Sequence, residues 1–72
     1  MAARDINKGN YAKANRYANL IRNSQKRAYA NRYIAWIVEG CVGLEPERGR
    51  LSYMAAQSVR LDINGMGLWE RG

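Results

Sequence analysis

The chain is 72 residues long with a formal net charge of +6, 47% apolar residues, one cysteine and no histidine. A chain this short forms one small domain, burying only about 60% of its unfolded surface, and it has no phenylalanine, so five tyrosines and two tryptophans supply the bulk of its core. The composition excludes an intramolecular disulfide, a cysteine-rich metal cluster, the usual zinc sites and histidine-based catalysis.

Residues 1–9 read as a flexible basic arm bearing Arg4 and Lys8 and ending at Gly9. Its first residues carry charges where a secretory leader needs an apolar run. Residues 10–72 then read as a single small helical domain. Asn10 is a good N-cap for a helix from Tyr11 to Ile21, whose apolar positions 11, 14, 18 and 21 step by three and four and draw one stripe. Six polar residues follow, Arg22 to Arg27. Helical pattern resumes from Ala28 to Glu39, with Tyr29, Tyr33, Trp36 and Ile37 on one side and Gly40 as the stop. The polar hexapeptide is open to two readings: a turn capped by Asn23 or Ser24 that makes a helical hairpin, or an exposed stretch of one long basic helix from about residue 10 to 39. It holds no glycine or proline, which favours the continuous or slightly kinked helix.

The tetrapeptide Ala-Asn-Arg-Tyr occurs at 14–17 and again at 30–33. On one straight helix a 16-residue separation turns the copies about 160° apart, so they share no face. Ten weakly matching residues do not make a repeat architecture, and chance in a biased segment is the favoured reading.

Gly40 to Leu44 is a connector, with Cys41 read as a small buried hydrophobe. Glu45-Pro46-Glu47 opens a short helical piece that Gly49 ends. Leu51 to Leu61 suits a shorter C-terminal helix, with Leu51, Met54, Ala55 and Val59 apolar and Ser52 a cap. Asn64-Gly65 either terminates that helix or turns a short β-hairpin over residues 59–69, termination being favoured because a lone two-stranded hairpin is marginal in water. The fold class is therefore mainly α, a basic N-terminal helix or hairpin packed by a shorter C-terminal helix.

No constellation supports an enzyme: the serines have no histidine partner, and Gly65-x-Gly67 lacks the third glycine and strand–helix context of a nucleotide loop. A small-molecule substrate, a metal and a cofactor are not expected. A helix-turn-helix over 52–71 fits at Ala56, Val59, Leu61, Met66 and Trp69. It is opposed by Arg60 in the turn, by Gly65 and Gly67 in the recognition helix, and by the local charge. The longest apolar stretch, Ile34 to Val38, is far too short to span a membrane. These features suit a protein of the reducing cytoplasm.

The charge is segregated. Residues 1–37 hold eight cations and one acid, +7, and residues 38–72 hold four cations and five acids, −1. Cations interleaved with tyrosines suit a polyanion, because arginine and lysine neutralise phosphates and aromatic rings stack on unpaired bases. The expected contact set is Arg4, Lys8, Lys13, Arg16, Arg22, Lys26, Arg27 and Arg32. Tyr17, Tyr33 and Trp36 are candidates for base stacking or for a homodimer seam, Tyr33 and Trp36 alternatively joining the core. In size, charge and absent chemistry the chain resembles small phage-encoded proteins that bind host machinery such as RNA polymerase. The expected function is a non-enzymatic transcription-type regulator contacting RNA or DNA, or alternatively an adaptor docking on an acidic protein surface.

Overall fold

The computed structural model describes residues 6–69, which form three α-helices: α1, Lys8–Leu20; α2, Ser24–Val38; and α3, Tyr53–Asn64. There is no strand among the described residues, so the 59–69 segment is not a hairpin. α2 is the central element and packs against both α1 and α3.

The long helix expected over 10–39 is instead two helices, and the reason lies in local capping. The Asn23 side chain accepts from the backbone N–H groups of Gln25 at 2.9 Å and Lys26 at 3.0 Å. It thereby satisfies two donors that would otherwise be orphaned at the start of α2. Ile21 and Asn23 both take extended backbone, with ψ of 122° and 119°. On the other side of the break, the Arg27 guanidinium donates from Nη1 to the Ile21 carbonyl at 2.9 Å. A polar run without glycine or proline thus becomes a turn, because its own side chains satisfy the exposed backbone.

α1 starts three residues earlier than Asn10 suggests. Asn7 is the N-cap, its Oδ1 accepting from Asn10 N–H at 3.0 Å. The Asn10 side chain is used differently: its Nδ2 donates to the Gly67 carbonyl at 2.9 Å, and Asn7 N–H donates to the Leu68 carbonyl at 2.8 Å. The segment after α3 therefore returns to clamp the start of α1, and Leu68 enters the core.

These two caps explain the duplicated tetrapeptide. Asn7 and Asn23 each stand seven residues before an Ala-Asn-Arg-Tyr. The break restarts the helical phase, so each copy sits at the same distance from its own helix start. Ala14 and Ala30 are both fully buried, while Arg16 and Arg32 are both exposed. Tyr17 donates its hydroxyl to Asp62 Oδ2 at 2.8 Å, and Tyr33 donates to Asn64 Oδ1 at 3.2 Å, so both copies reach α3. The repeat is a structural device.

The core consists of α1's Ala14 and Ala18, α2's Tyr29, Ala30, Tyr33, Ile34 and Ile37, and Ala56, Val59 and Ile63 of α3, closed by Leu51 and Leu68. Ile34, Val59 and Ile63 are the largest fully buried side chains, each contributing about 1.5–3 kcal/mol through burial. Alanine on α1 adds little buried area, so most of the apolar bulk comes from α2 and α3. Tyr29, Tyr33 and Trp36 form a ring ladder, with centroid separations of 6.1 Å and 5.8 Å.

α2 ends as expected at Gly40, whose φ of +93° is the left-handed conformation that glycine adopts freely. Gly40 N–H bonds the Ile37 carbonyl at 2.9 Å and Cys41 N–H bonds the Trp36 carbonyl at 3.0 Å. That paired arrangement carries the chain outward, so Cys41 is exposed with φ of +59°, and is not the buried hydrophobe its composition suggests. Glu45-Pro46-Glu47 forms no helix; Glu45 instead pairs with Arg60 at 3.6 Å. Ser52 does cap α3, accepting from Ala55 N–H at 3.1 Å. Starting there, the helix turns Ala56, Val59 and Ile63 inward and leaves Met54 outside. α3 runs unbroken to Asn64 with no second helix over 65–69, so the helix-turn-helix pattern is not realised among the described residues.

Candidate nucleic-acid interface

Residues 6–37 contain seven cations and no acid. The fold distributes those cations unequally. Lys8 occupies the first position of α1, and Lys13 and Arg16 project from its exposed side, three residues apart and hence on neighbouring positions of one face. Arg22 is exposed in the turn between α1 and α2, and Arg32 is exposed on α2. Lys26 and Arg27 are half-buried, and Arg27 is already engaged on the Ile21 carbonyl. Arg4 lies outside the described residues.

Among the described residues, none of the cations of residues 6–37 has an acidic partner. The one ion pair among the described residues joins Arg60 to Glu45, both from the other half of the chain. Lys8, Lys13, Arg16, Arg22 and Arg32 therefore present their charge to solvent without an acidic partner among the described residues. The helices add to this, because neither α1 nor α2 has an acid in its first turn to offset the positive end of the helix dipole.

The aromatic residues have other duties. Tyr33 is buried in the core between Tyr29 and Trp36, which leaves its ring no open face for a base. Trp36 is half-buried, its indole Nε1 enclosed without a hydrogen-bond partner among the described residues. Tyr17 is half-buried and tied to Asp62; burial first, then the hydrogen bond and the negative charge of Asp62, push its hydroxyl up to about 12. Burial also pushes the Tyr29 hydroxyl up, opposed by the nearby Arg60 guanidinium. With Tyr29 and Tyr33 buried and Tyr17 and Trp36 half-buried, Tyr11 is the one exposed ring on α1 and α2, so their surface offers phosphates many cations and bases a single ring.

Two cations outside the expected set join Arg32. Arg48 and Arg50 flank Gly49, whose φ of +59° turns the chain, and with Arg32 they line a groove of about 320 Å³ against the first half of α2. The charge sum of residues 38–72 hides them among five acids; only the fold brings them to α2. Among the described residues no three His, Cys, Asp or Glu side chains cluster as metal ligands, and no helix is long and apolar enough to cross a membrane.

The chain matches no protein-family profile, no curated protein and no solved structure.

Proposed function

We propose that this protein is a small basic regulator that binds nucleic acid through the phosphate backbone, using the exposed cations of α1, the α1–α2 turn and α2. The observation that carries this reading is the absence of any acidic partner, among the described residues, for the cations of residues 6–37. Unpaired cations of one sign raise the local anion concentration and release counterions from a nucleic acid when they bind it. Lys13, Arg16, Arg22 and Arg32 are the principal contacts, with Lys8 and Lys26 at the margins. Arg4 extends the same charge along the sequence. The burial of Tyr29 and Tyr33 and the tie of Tyr17 to Asp62 leave Tyr11 as the one exposed ring on α1 and α2, which supports phosphate contact over base reading, so little sequence preference is expected.

Fluorescence anisotropy against labelled single-stranded and duplex oligonucleotides over a salt series tests this. Four phosphate contacts give a slope of log K against log salt of about −3 on single strands and about −4 on duplex. The double variant K13A/R16A should weaken binding and make the slope shallower by about 1.4 to 1.8. Binding that ignores salt, or no binding at low salt, would refute the reading.

A second reading has one observation of its own. Leu20 is 74% exposed and stands one helical turn from Arg16, an apolar neighbour that suits docking on an acidic protein surface such as one on RNA polymerase. Capture of a partner that survives nuclease treatment, and is lost on Leu20→Ser, favours this alternative.

A further inference from the structure

We propose that the groove between the first half of α2 and the 47–50 turn is a phosphate-binding site, whose natural occupant is the backbone of the nucleic acid; the choice of occupant rests on the function proposed above. Arg32, Arg48 and Arg50 line the groove together with Ser24 and Gln25 of the first turn of α2. Glu47 is the single acid in its lining, so three arginines stand beside one carboxylic acid residue there. Guanidinium presents paired N–H donors in a planar fork that matches two phosphate oxygens at once, which makes such a cluster selective for phosphate over a simple halide.

The guanidinium groups are differently prepared. Arg48 donates from Nη1 to the Leu51 carbonyl at 2.8 Å, which fixes its position and leaves its other donors for a ligand. Arg32 and Arg50 are exposed and hold no hydrogen bond or ion pair with the described residues. The Asn23 side chain already occupies the amides of Gln25 and Lys26, so the start of α2 contributes its dipole while the arginines supply the donors. A volume of about 320 Å³ lies at the lower end of ligand sites, which run from about 300 to 1,000 Å³. It suits one or two phosphates with their sugar and not a double helix seated whole.

The test is an amide-resolved NMR titration of the wild-type protein and of R32A/R50A, with two probes: a short single-stranded oligonucleotide and inorganic pyrophosphate. Arg48 is left in place because it holds Leu51. Both probes are expected to shift the amides of Ser24, Gln25 and Gly49. R32A/R50A should abolish the pyrophosphate shifts and make the oligonucleotide salt slope shallower by about 1.4, which is 0.7 per lost contact on a single strand. An oligonucleotide that binds wild type without moving these amides, and equally well to R32A/R50A, overturns the groove and removes Arg32 from the contact set; binding that is still weakened by K13A/R16A then keeps the nucleic-acid reading on α1 and the α1–α2 turn. Pyrophosphate shifts without oligonucleotide binding support a phosphate site while overturning nucleic acid as its occupant. Silence at these amides with both probes overturns the site.

Discussion

Tyr17 on α1 donates its hydroxyl to the Asp62 carboxylate on α3 at 2.8 Å, across 45 residues of chain. α1 and α3 share few other contacts, since α2 lies between them as the common packing partner. A polar cross-tie of this kind fixes the flank of a small fold whose α1 buries only alanines completely. Tyr17→Phe keeps the ring and removes the bond. A hydrogen bond to an exposed carboxylate is worth about 1 kcal/mol here, below the usual range for a charged acceptor because solvent screens it. For a domain of this size that lowers the melting temperature by about 4–8 °C. Thermal unfolding followed by circular dichroism measures it, and an unchanged melting temperature would show that water replaces the bond without loss.

Burial of the same hydroxyl, together with its bond to Asp62, sets a direction for alkaline stability. The Tyr17 hydroxyl is raised from 10.0 to about 12 in the fold, so the folded state holds its proton more tightly than the unfolded chain. The resulting stability is fully present below the unfolded value and is lost as pH rises from about 10 through about 12. Tyr29 is shifted in the same direction, so Tyr17→Phe should reduce the alkaline loss without abolishing it. Asp62→Asn should lower the Tyr17 value only partly, since burial is the largest cause of its shift. Thermal melts across this range, paired with tyrosinate absorbance, follow both effects. A Tyr17→Phe variant that loses stability as steeply as wild type would assign the alkaline transition to other groups.

Asn23 decides that residues 8–38 are two helices. Asn23→Ala leaves the amides of Gln25 and Lys26 without their side-chain acceptor and should cost about 1–2 kcal/mol. Asn23→Asp and Asn23→Ser keep an acceptor and should lie within a few tenths of a kcal/mol of wild type. Alanine is also the best helix former, so the stability loss in Asn23→Ala should come without loss of far-ultraviolet helicity. A helicity drop of more than one turn would mean that the cap nucleates α2 as well as terminating the break.

Much of this fold is legible along the chain because it rests on local chemistry. The tyrosine–isoleucine stripe of α2, the glycine stop at Gly40, the Ser52 cap and the end of α3 at Asn64 each follow from a few adjacent residues. The break after Leu20 is harder to read, because asparagine and serine interrupt a helix only when packing rewards the turn, and no glycine or proline announces it. One signal was available: sliding back seven positions from each Ala-Asn-Arg-Tyr reaches an asparagine both times. The tyrosine ties to Asp62 and Asn64, and the meeting of Arg32 with Arg48 and Arg50, join distant parts of the chain. No local pattern encodes them, and a charge sum over residues 38–72 conceals the two arginines.

Arg22 and Arg27 carry the same charge five residues apart but should behave oppositely on substitution. Arg27 is half-buried with its guanidinium on the Ile21 carbonyl, one of the groups that α1 leaves unsatisfied at its end. Arg27→Ala removes that donor and the packed stem, and should cost about 1–2 kcal/mol of stability. Lysine is a poor replacement, since a point-like ammonium lacks the planar fork. Arg22 is exposed in the turn and has no hydrogen bond with the described residues. Arg22→Ala should stay within about 0.5 kcal/mol of wild type in stability and make the single-strand salt slope shallower by about 0.7. Replacing Arg22, Lys26 and Arg27 together would mix the two effects, so the variants must be measured singly, each by thermal melt and by salt-dependent anisotropy. If Arg27→Ala weakens binding at full stability, or Arg22→Ala destabilises the fold with binding unchanged, the division between structural and phosphate-facing cations drawn from the turn is wrong.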